Sequence, residues 1–216
     1  MNALAMLGRA VQSLFLPELC RCAVCGEERA LVEGTGFCQS CWTALPHNED
    51  PLTVKQGLVT ISPFWYAGAA EELVKGLKFH NKRYMAQALG RVMAEACLQA
   101  GLTAEALVPV PLHPNRKRER GYNQSELLAR SMAETLQTPV QPTWLRRVRD
   151  TEQQALLEAL QRRANVQGAF AADGSVRGLT VCLVDDVTTT GCTLRAAADA
   201  LEKQGAKVWV CTACRT

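Results

Sequence analysis

Between Val181 and Thr193 the chain reads V-C-L-V-D-D-V-T-T-T-G-C-T, which puts several kinds of chemistry into one short stretch. Asp185 and Asp186 are adjacent carboxylates, able to accept hydrogen bonds from sugar hydroxyls or to face a hydrated cation. Thr188, Thr189, Thr190, Gly191 and Thr193 follow, with small side chains and hydroxyls. Leu194, Ala197, Ala198 and Leu201 then recur with helical spacing. The small residues therefore fall at a helix N-terminus, where unpaired N–H groups and the positive end of the helix dipole hold anions. The apolar run Val181–Val184 suits a buried strand that ends at the acidic pair. Strand, carboxylates, loop and helix in this order predict a sugar-phosphate site. The competing reading is a plain strand-to-helix turn with a threonine cap.

A second constellation lies near the start of the chain. Cys22-x2-Cys25 and Cys38-x2-Cys41 form two tight pairs, with Gly26 after the first and Gly34 and Gly36 between them. Each pair can aim two thiolates at one point, and two pairs close a tetrahedron around zinc. No ligand position is left open, so the Zn2+ is expected to be structural. Cys20 is an extra candidate that breaks the spacing. The chain has ten cysteines and no export signal, which favours metal or buried thiols in a reducing cytoplasm over disulfides.

The third candidate is basic. Leu107–Val110 reads as a short strand, followed by His113, Arg116-Lys117-Arg118-Glu119-Arg120 and Gly121-Tyr122-Asn123-Gln124. A basic loop at the carboxyl end of a strand, leading into a helix, is where α/β folds place ligands, and arginine forks suit phosphate oxygens. The net charge of +3 decides little, but residues 78–163 carry fourteen basic and eight acidic side chains while residues 1–60 carry four and six. The positive field over the middle of the chain favours an anionic ligand; a solvated basic face would look the same. Further on, Arg146, Arg147, Arg149, Arg162 and Arg163 lie in a polar stretch with a short helix expected around residues 155–163. That stretch is either a lid over the ligand or a track for a nucleic-acid backbone, with Trp144 and Tyr122 available for stacking.

The elements that must position these groups follow from periodicity. Leu4, Leu7, Val11, Leu14 and Phe15 predict an amphipathic helix packed on the protein, not a signal peptide or a membrane span. Pro46–Pro51 reads as a linker, so residues 1–50 are expected to form a helix and zinc module and residues 51–216 a second domain. Leu58–Ile61 and Phe64–Tyr66 are β-prone, helices are expected after Gly68 and from Met85 to Cys97, and Lys207–Ala213 reads as the last strand. Cys211 and Cys214 lie on that strand, where residues three apart face opposite sides, so they are expected to be inert. Apolar strands alternating with helices predict an α/β domain with a mainly parallel sheet flanked by helices.

The 181–193 stretch resembles the PRPP-binding motif of type I phosphoribosyltransferases (PRPP is phosphoribosyl pyrophosphate). The resemblance implies that Asp185 and Asp186 bind the ribose 2′- and 3′-hydroxyls, and that Thr188, Thr189, Thr190, Gly191 and Thr193 hold the 5′-phosphate. It implies Mg2+ with PRPP, and an early loop that meets the pyrophosphate. Some members carry an acidic general base where Thr189 stands; threonine cannot do that work near neutral pH. A wider set of motifs is similar to the ComF family: the four cysteines, Leu77-Lys78-Phe79, Pro109-Val110-Pro111-Leu112, Arg118-x-Arg120-Gly121-Tyr122-Asn123-Gln124, Arg162-x2-Asn165-Val166 and the acidic-pair loop. That likeness implies a cytoplasmic protein of natural transformation or DNA use with a type I phosphoribosyltransferase-like fold. Two functions stay open. One is a protein that binds PRPP and handles incoming single-stranded DNA, with a competence helicase or recombination proteins as partners. The other is an active phosphoribosyltransferase with an unknown acceptor. In either, Lys78, Arg116, Arg118, Arg120, Asn123, Gln124, Arg162 and Arg163 are the candidates for pyrophosphate or the DNA backbone.

Overall fold

The computed structural model describes residues 21–149, 166 and 168–216. Its elements in chain order are α1 (Gln39–Ala44), β1 (Leu52–Lys55), β2 (Leu58–Ile61), β3 (Phe64–Trp65), α2 (Gly68–Phe79), α3 (Met85–Gln99) and β4 (Ala106–Pro109). After these come α4 (Pro114–Arg120), α5 (Gln124–Leu136), β5 (Leu145–Arg147), β6 (Phe170–Ala172), β7 (Thr180–Thr188), α6 (Cys192–Lys203) and β8 (Lys207–Arg215). The expected amphipathic helix at residues 4–15, the helix at 155–163, Cys20, Arg162 and Arg163 lie outside the described residues.

The main sheet runs β1-β2-β8-β7-β4, with β3 also paired to β8. All pairings are parallel except the β1–β2 hairpin at the edge. The central strands are apolar on both faces because helices cover both. Cys182 and Val184 join a core with Leu73, Leu77, Leu89, Met93, Leu128 and Met132, from α2, α3 and α5. Val181 and Leu183 point the other way, into Leu194, Ala197, Ala198 and Leu201 of α6, with Leu145 and Phe170 beyond them. This period-two split is what a doubly covered parallel strand requires. Helices α3 and α5 meet closely at Gly90, where a Cβ would lie 2.5 Å from Ser131 Cβ and 2.9 Å from the Leu128 carbonyl oxygen.

Two features differ from the sequence expectation. The central strand does not end at Val184. It continues through Asp185 and Asp186 to Thr188, because β8 goes on pairing with it as far as Thr188↔Arg215 while β4 stops at Pro109. The carboxylates therefore stand on a strand whose β4 side has just become open, a crevice beyond the carboxyl end of a parallel sheet. Second, the basic segment is a helix, α4, not a loop. Pro114 occupies its first turn, and Gly121 in the left-handed region (φ 78°) ends it.

Residues 46–51 are stitched to the sheet region: Trp65 N–H donates to the Pro46 carbonyl, Asn48 N–H to that of Pro63, and Ser62 N–H to that of Pro51. Phe37 of the cysteine module is fully buried in the same core as α3. Among the described residues no helix is long and apolar enough to cross a membrane.

Candidate functional site

Asp186 leaves β7 on the α2 side and is buried, with 3% of its surface exposed. Its Oδ1 lies 2.7 Å from the Lys78 ammonium at the end of α2, while its Oδ2 is buried without a hydrogen-bond partner. Asp185 Oδ1 accepts the Ser125 hydroxyl at 2.8 Å and the Asp186 N–H at 2.9 Å. Burial, and then the neighbouring Asp186 charge, push the Asp185 carboxyl up to about 7, against the opposing pull of Lys78 and Ser125. Burial alone would pull the Lys78 ammonium down, but the Asp186 and Asp185 charges outweigh it and its pKa is raised. The orphan Asp186 oxygen leaves the acidic pair with unspent hydrogen-bonding capacity. Such a pair can take sugar hydroxyls or the water shell of Mg2+, a cation that would neutralise phosphate charge.

The small-residue loop follows directly. Thr188 is buried and its hydroxyl oxygen has no partner. Thr189 is exposed, and Gly191 takes φ 78° as the N-cap of α6. Asp185, Thr188, Thr189, Gly191 and Thr193 line a depression of about 40 Å3. Thr190 lies in the same turn and its carbonyl accepts a hydrogen bond from Gln56 Nε2 at 3.2 Å.

Beside the acidic pair lies a larger cleft of about 540 Å3, lined by Lys78, Phe79, Arg83, Arg116, Arg120 and Tyr122, with Asn81 and Glu119. Arg83 stacks on Tyr122 at 4.5 Å and Arg120 on Phe79 at 5.6 Å. Phe79 is 69% exposed, unusual for a large aromatic ring. The Tyr122 hydroxyl donates to the Leu77 carbonyl and ties α2 to the turn between α4 and α5. Lys78 lines this cleft and also pairs with Asp186, so the two sites adjoin.

Of the residues picked from the basic segment, Arg116 and Arg120 face the cleft. Arg118 is exposed on α4, outside the cleft lining, and donates to Asn115 Oδ1. Asn123 and Gln124 are buried. Asn123 Oδ1 caps α5 by accepting the Ser125 N–H, and its Nδ2 donates to the Val110 carbonyl, while Gln124 Oε1 accepts from Arg120. These two side chains position the segment. Sequence reasoning missed Ser125, Arg83 and Gln56. Ser125 follows a capping asparagine and looks like ordinary cap surroundings, and Gln56 lies 134 residues from its partner.

The sulfurs of Cys22, Cys25, Cys38 and Cys41 all lie within 4.8 Å of one another, with Cys25 and Cys38 Sγ 4.0 Å apart. Tetrahedral sulfurs around zinc sit about 3.8 Å apart. The Cys38 N–H points at Cys22 Sγ at 3.4 Å, and the Gly26 N–H closes the first turn on the Cys22 carbonyl at 2.9 Å. Four thiols this close do not ionise together unaided. Cys38 is held down at about 6, first by the Ser40 hydroxyl, whereas burial pushes Cys41 up to about 12. A divalent cation is what allows all four to be thiolates, so the donor set fits zinc. Cys211 and Cys214 are both buried in β8 and take no part in this cluster.

Residues 93–216, which hold β4, the acidic pair, the small-residue loop and α4, match the phosphoribosyl transferase domain family. The fold is of the type I phosphoribosyltransferase kind, a mostly parallel sheet flanked by helices, with a four-cysteine cluster before it. The DNA utilization protein YhgH of Salmonella typhimurium is 35% identical over 208 residues, 90% of each chain, and competence protein F of Haemophilus influenzae is 32% identical over 199 residues, 87% of this chain and 82% of that one. On these relatives and this domain, the chain belongs to the ComF family. Among solved structures, the Bacillus subtilis glutamine PRPP amidotransferase aligns with 65% of this chain and 30% of its own, at a TM-score of 0.46 and 21% identity.

Proposed function

We propose that this protein binds PRPP between Asp185–Asp186 and the Thr188–Thr193 loop, and that it handles single-stranded DNA in DNA uptake or use. The observation that carries the reading is the junction at Lys78. One cation joins an acidic pair and a small-hydroxyl loop to a basic cleft edged by an exposed aromatic ring. Asp185 and Asp186 hold the ribose hydroxyls; Thr188, Thr189, Thr190, Gly191 and Thr193 hold the 5′-phosphate on the N–H groups of α6. Arg116 and Arg120, with Arg162 and Arg163, meet the pyrophosphate or the DNA backbone, and Phe79 offers a stacking face. The names of the relatives, DNA utilization and competence, support the DNA half of the proposal. A cytoplasmic site of action, partnership with a helicase or recombination factor, and a division into a zinc module at residues 1–50 and a phosphoribosyltransferase domain at 51–216 belong to the same proposal.

Calorimetry with PRPP and Mg2+ tests it: the wild type should bind and the Asp185→Asn/Asp186→Asn variant should not. Single-stranded DNA affinity should fall steeply with salt, by a log–log slope of about 0.7 for each phosphate neutralised. It should also weaken in Arg116→Ala/Arg120→Ala. Flat, weak DNA binding indifferent to those two arginines would remove the DNA half.

One observation favours turnover as a second reading. The Asp185 carboxyl sits near neutrality beside the ribose position, where a proton acceptor or a charge stabiliser works best. Positioning and charge neutralisation carry much of a pyrophosphate displacement even without a strong base. Magnesium-dependent pyrophosphate release that disappears in the double asparagine variant would establish it.

A further inference from the structure

The edge hairpin β1–β2 touches the phosphate loop from outside the motif. Its tip, Gln56-Gly57, turns with both residues at positive φ (52° and 74°) and delivers Gln56 Nε2 to the Thr190 carbonyl. Lys55, the residue before it, lays its stem along Gly191: a Cβ built on Gly191 would lie 3.2 Å from Gln56 Cγ and 3.4 Å from Lys55 Cγ. Gly191 is thus needed both for its φ of 78° and to let the hairpin sit on the loop.

The charges at this junction do not balance. Arg215 stands opposite Thr188 in the β7–β8 register. Its guanidinium lies 4.4 Å over Trp65 and donates to Asn48 Oδ1 at 3.1 Å, two neutral partners. Among the described residues, neither Lys55 nor Arg215 has a carboxylate within ion-pair distance. Partial burial and then the Arg215 charge pull the Lys55 ammonium down, so the two cations sense one another. Thr188, opposite Arg215 in the sheet, lines the depression with a buried hydroxyl that has no hydrogen-bond partner, and Gly191, against which the Lys55 stem lies, lines it too. An anion with several acceptor oxygens would balance these two cations and use the free hydroxyl.

We infer that Lys55, with Arg215 behind it, is a direct ligand of a phosphomonoester held by the Thr188–Thr193 loop. The phosphate site is then made of two segments, the loop and the hairpin. This rests on the reading of that loop as the 5′-phosphate site and adds a residue the motif does not contain. Lys55 also gives the hairpin a ligand-dependent anchor, since a bound phosphate ties β1 to α6.

The test is calorimetry with ribose 5-phosphate and with PRPP and Mg2+, on the wild type, Lys55→Met, Lys55→Arg and Asp185→Asn/Asp186→Asn. Lys55→Met should weaken both ligands about 10-fold or more, the usual loss for one charge-assisted contact, and Lys55→Arg should recover most of it. The thermal shift produced by ribose 5-phosphate should shrink in Lys55→Met while its ligand-free melting temperature stays at or above that of the wild type, because a cation without a counter-ion has been removed. Unchanged affinity in Lys55→Met, with binding lost in the double asparagine variant, would overturn the role of Lys55 and leave the PRPP reading standing. Failure of the wild type to bind either ligand would overturn both.

Discussion

Replacing Lys78 by methionine removes the ammonium 2.7 Å from Asp186 Oδ1 and keeps most of the buried stem. The Asp186 side chain is 4% exposed and its second oxygen already lacks a partner, so the variant strands a carboxylate where water barely reaches. Breaking a buried pair by deleting one member costs about 3–5 kcal/mol. The Lys78 side chain keeps 23% exposure, which admits some solvent and points to the lower end, about 3 kcal/mol. The sign with pH follows from the groups involved. Lys78 has a raised pKa in the fold, so its contribution is complete below the unfolded lysine value and is lost only in strong alkali. The deficit of Lys78→Met should therefore be present in full at pH 8. Urea unfolding at pH 8 measures it. The double variant Lys78→Met/Asp186→Asn should recover part of that loss, because no unpaired charge remains although the buried amide lacks a partner. A loss below about 1 kcal/mol at pH 8 would refute the reasoning.

Other outcomes follow from the same geometry. Asp185 has a folded pKa of about 7 against an ordinary 3.8, so the stability it lends is complete below pH 3.8 and is lost as pH rises through 7. Asp185→Asn should therefore raise stability at pH 8 by about 1–3 kcal/mol, with the gain gone by pH 4 and PRPP binding abolished; urea titrations across pH check it. Metal analysis of protein purified without chelator should find one zinc per chain, and a strong chelator should lower the melting temperature while releasing it. Absence of stoichiometric zinc would end that reading. Gly90→Ala should cost about 1–3 kcal/mol by thermal unfolding, since its Cβ has only Ser131 and the Leu128 carbonyl to push against.

What was legible in the sequence is mostly what is local. The two Cys-x2-Cys turns, the acidic pair before its threonines and the apolar run Val181–Val184 announce themselves within a dozen residues each. The end of β7 is not legible in the sequence because it depends on unequal neighbours: β8 continues beside Asp185 and Asp186 whereas β4 stops at Pro109, and no pattern inside β7 records that. Helix α4 has its end signals in the sequence, Pro114 at its start and Gly121 after it, but the run between them has no apolar residue to mark a helix face. The partners of the acidic pair, Lys78 and Ser125, are brought in from separate helices, and the Gln56 contact spans 134 residues. Such contacts are set by how helices seat on the sheet, which chain order does not express.

Lys78 stands at a shared wall, facing the basic cleft on one side and Asp186 on the other. A single ammonium cannot satisfy both sides fully, so an occupant of the cleft that draws it away leaves the acidic pair more negative. The two proposed occupancies would then be linked quantities. By thermodynamic necessity, any factor by which a sugar phosphate alters the grip on a nucleic-acid strand is the factor by which that strand alters the grip on the sugar phosphate. A nucleotide precursor and a polynucleotide would in this way report on each other through one side chain.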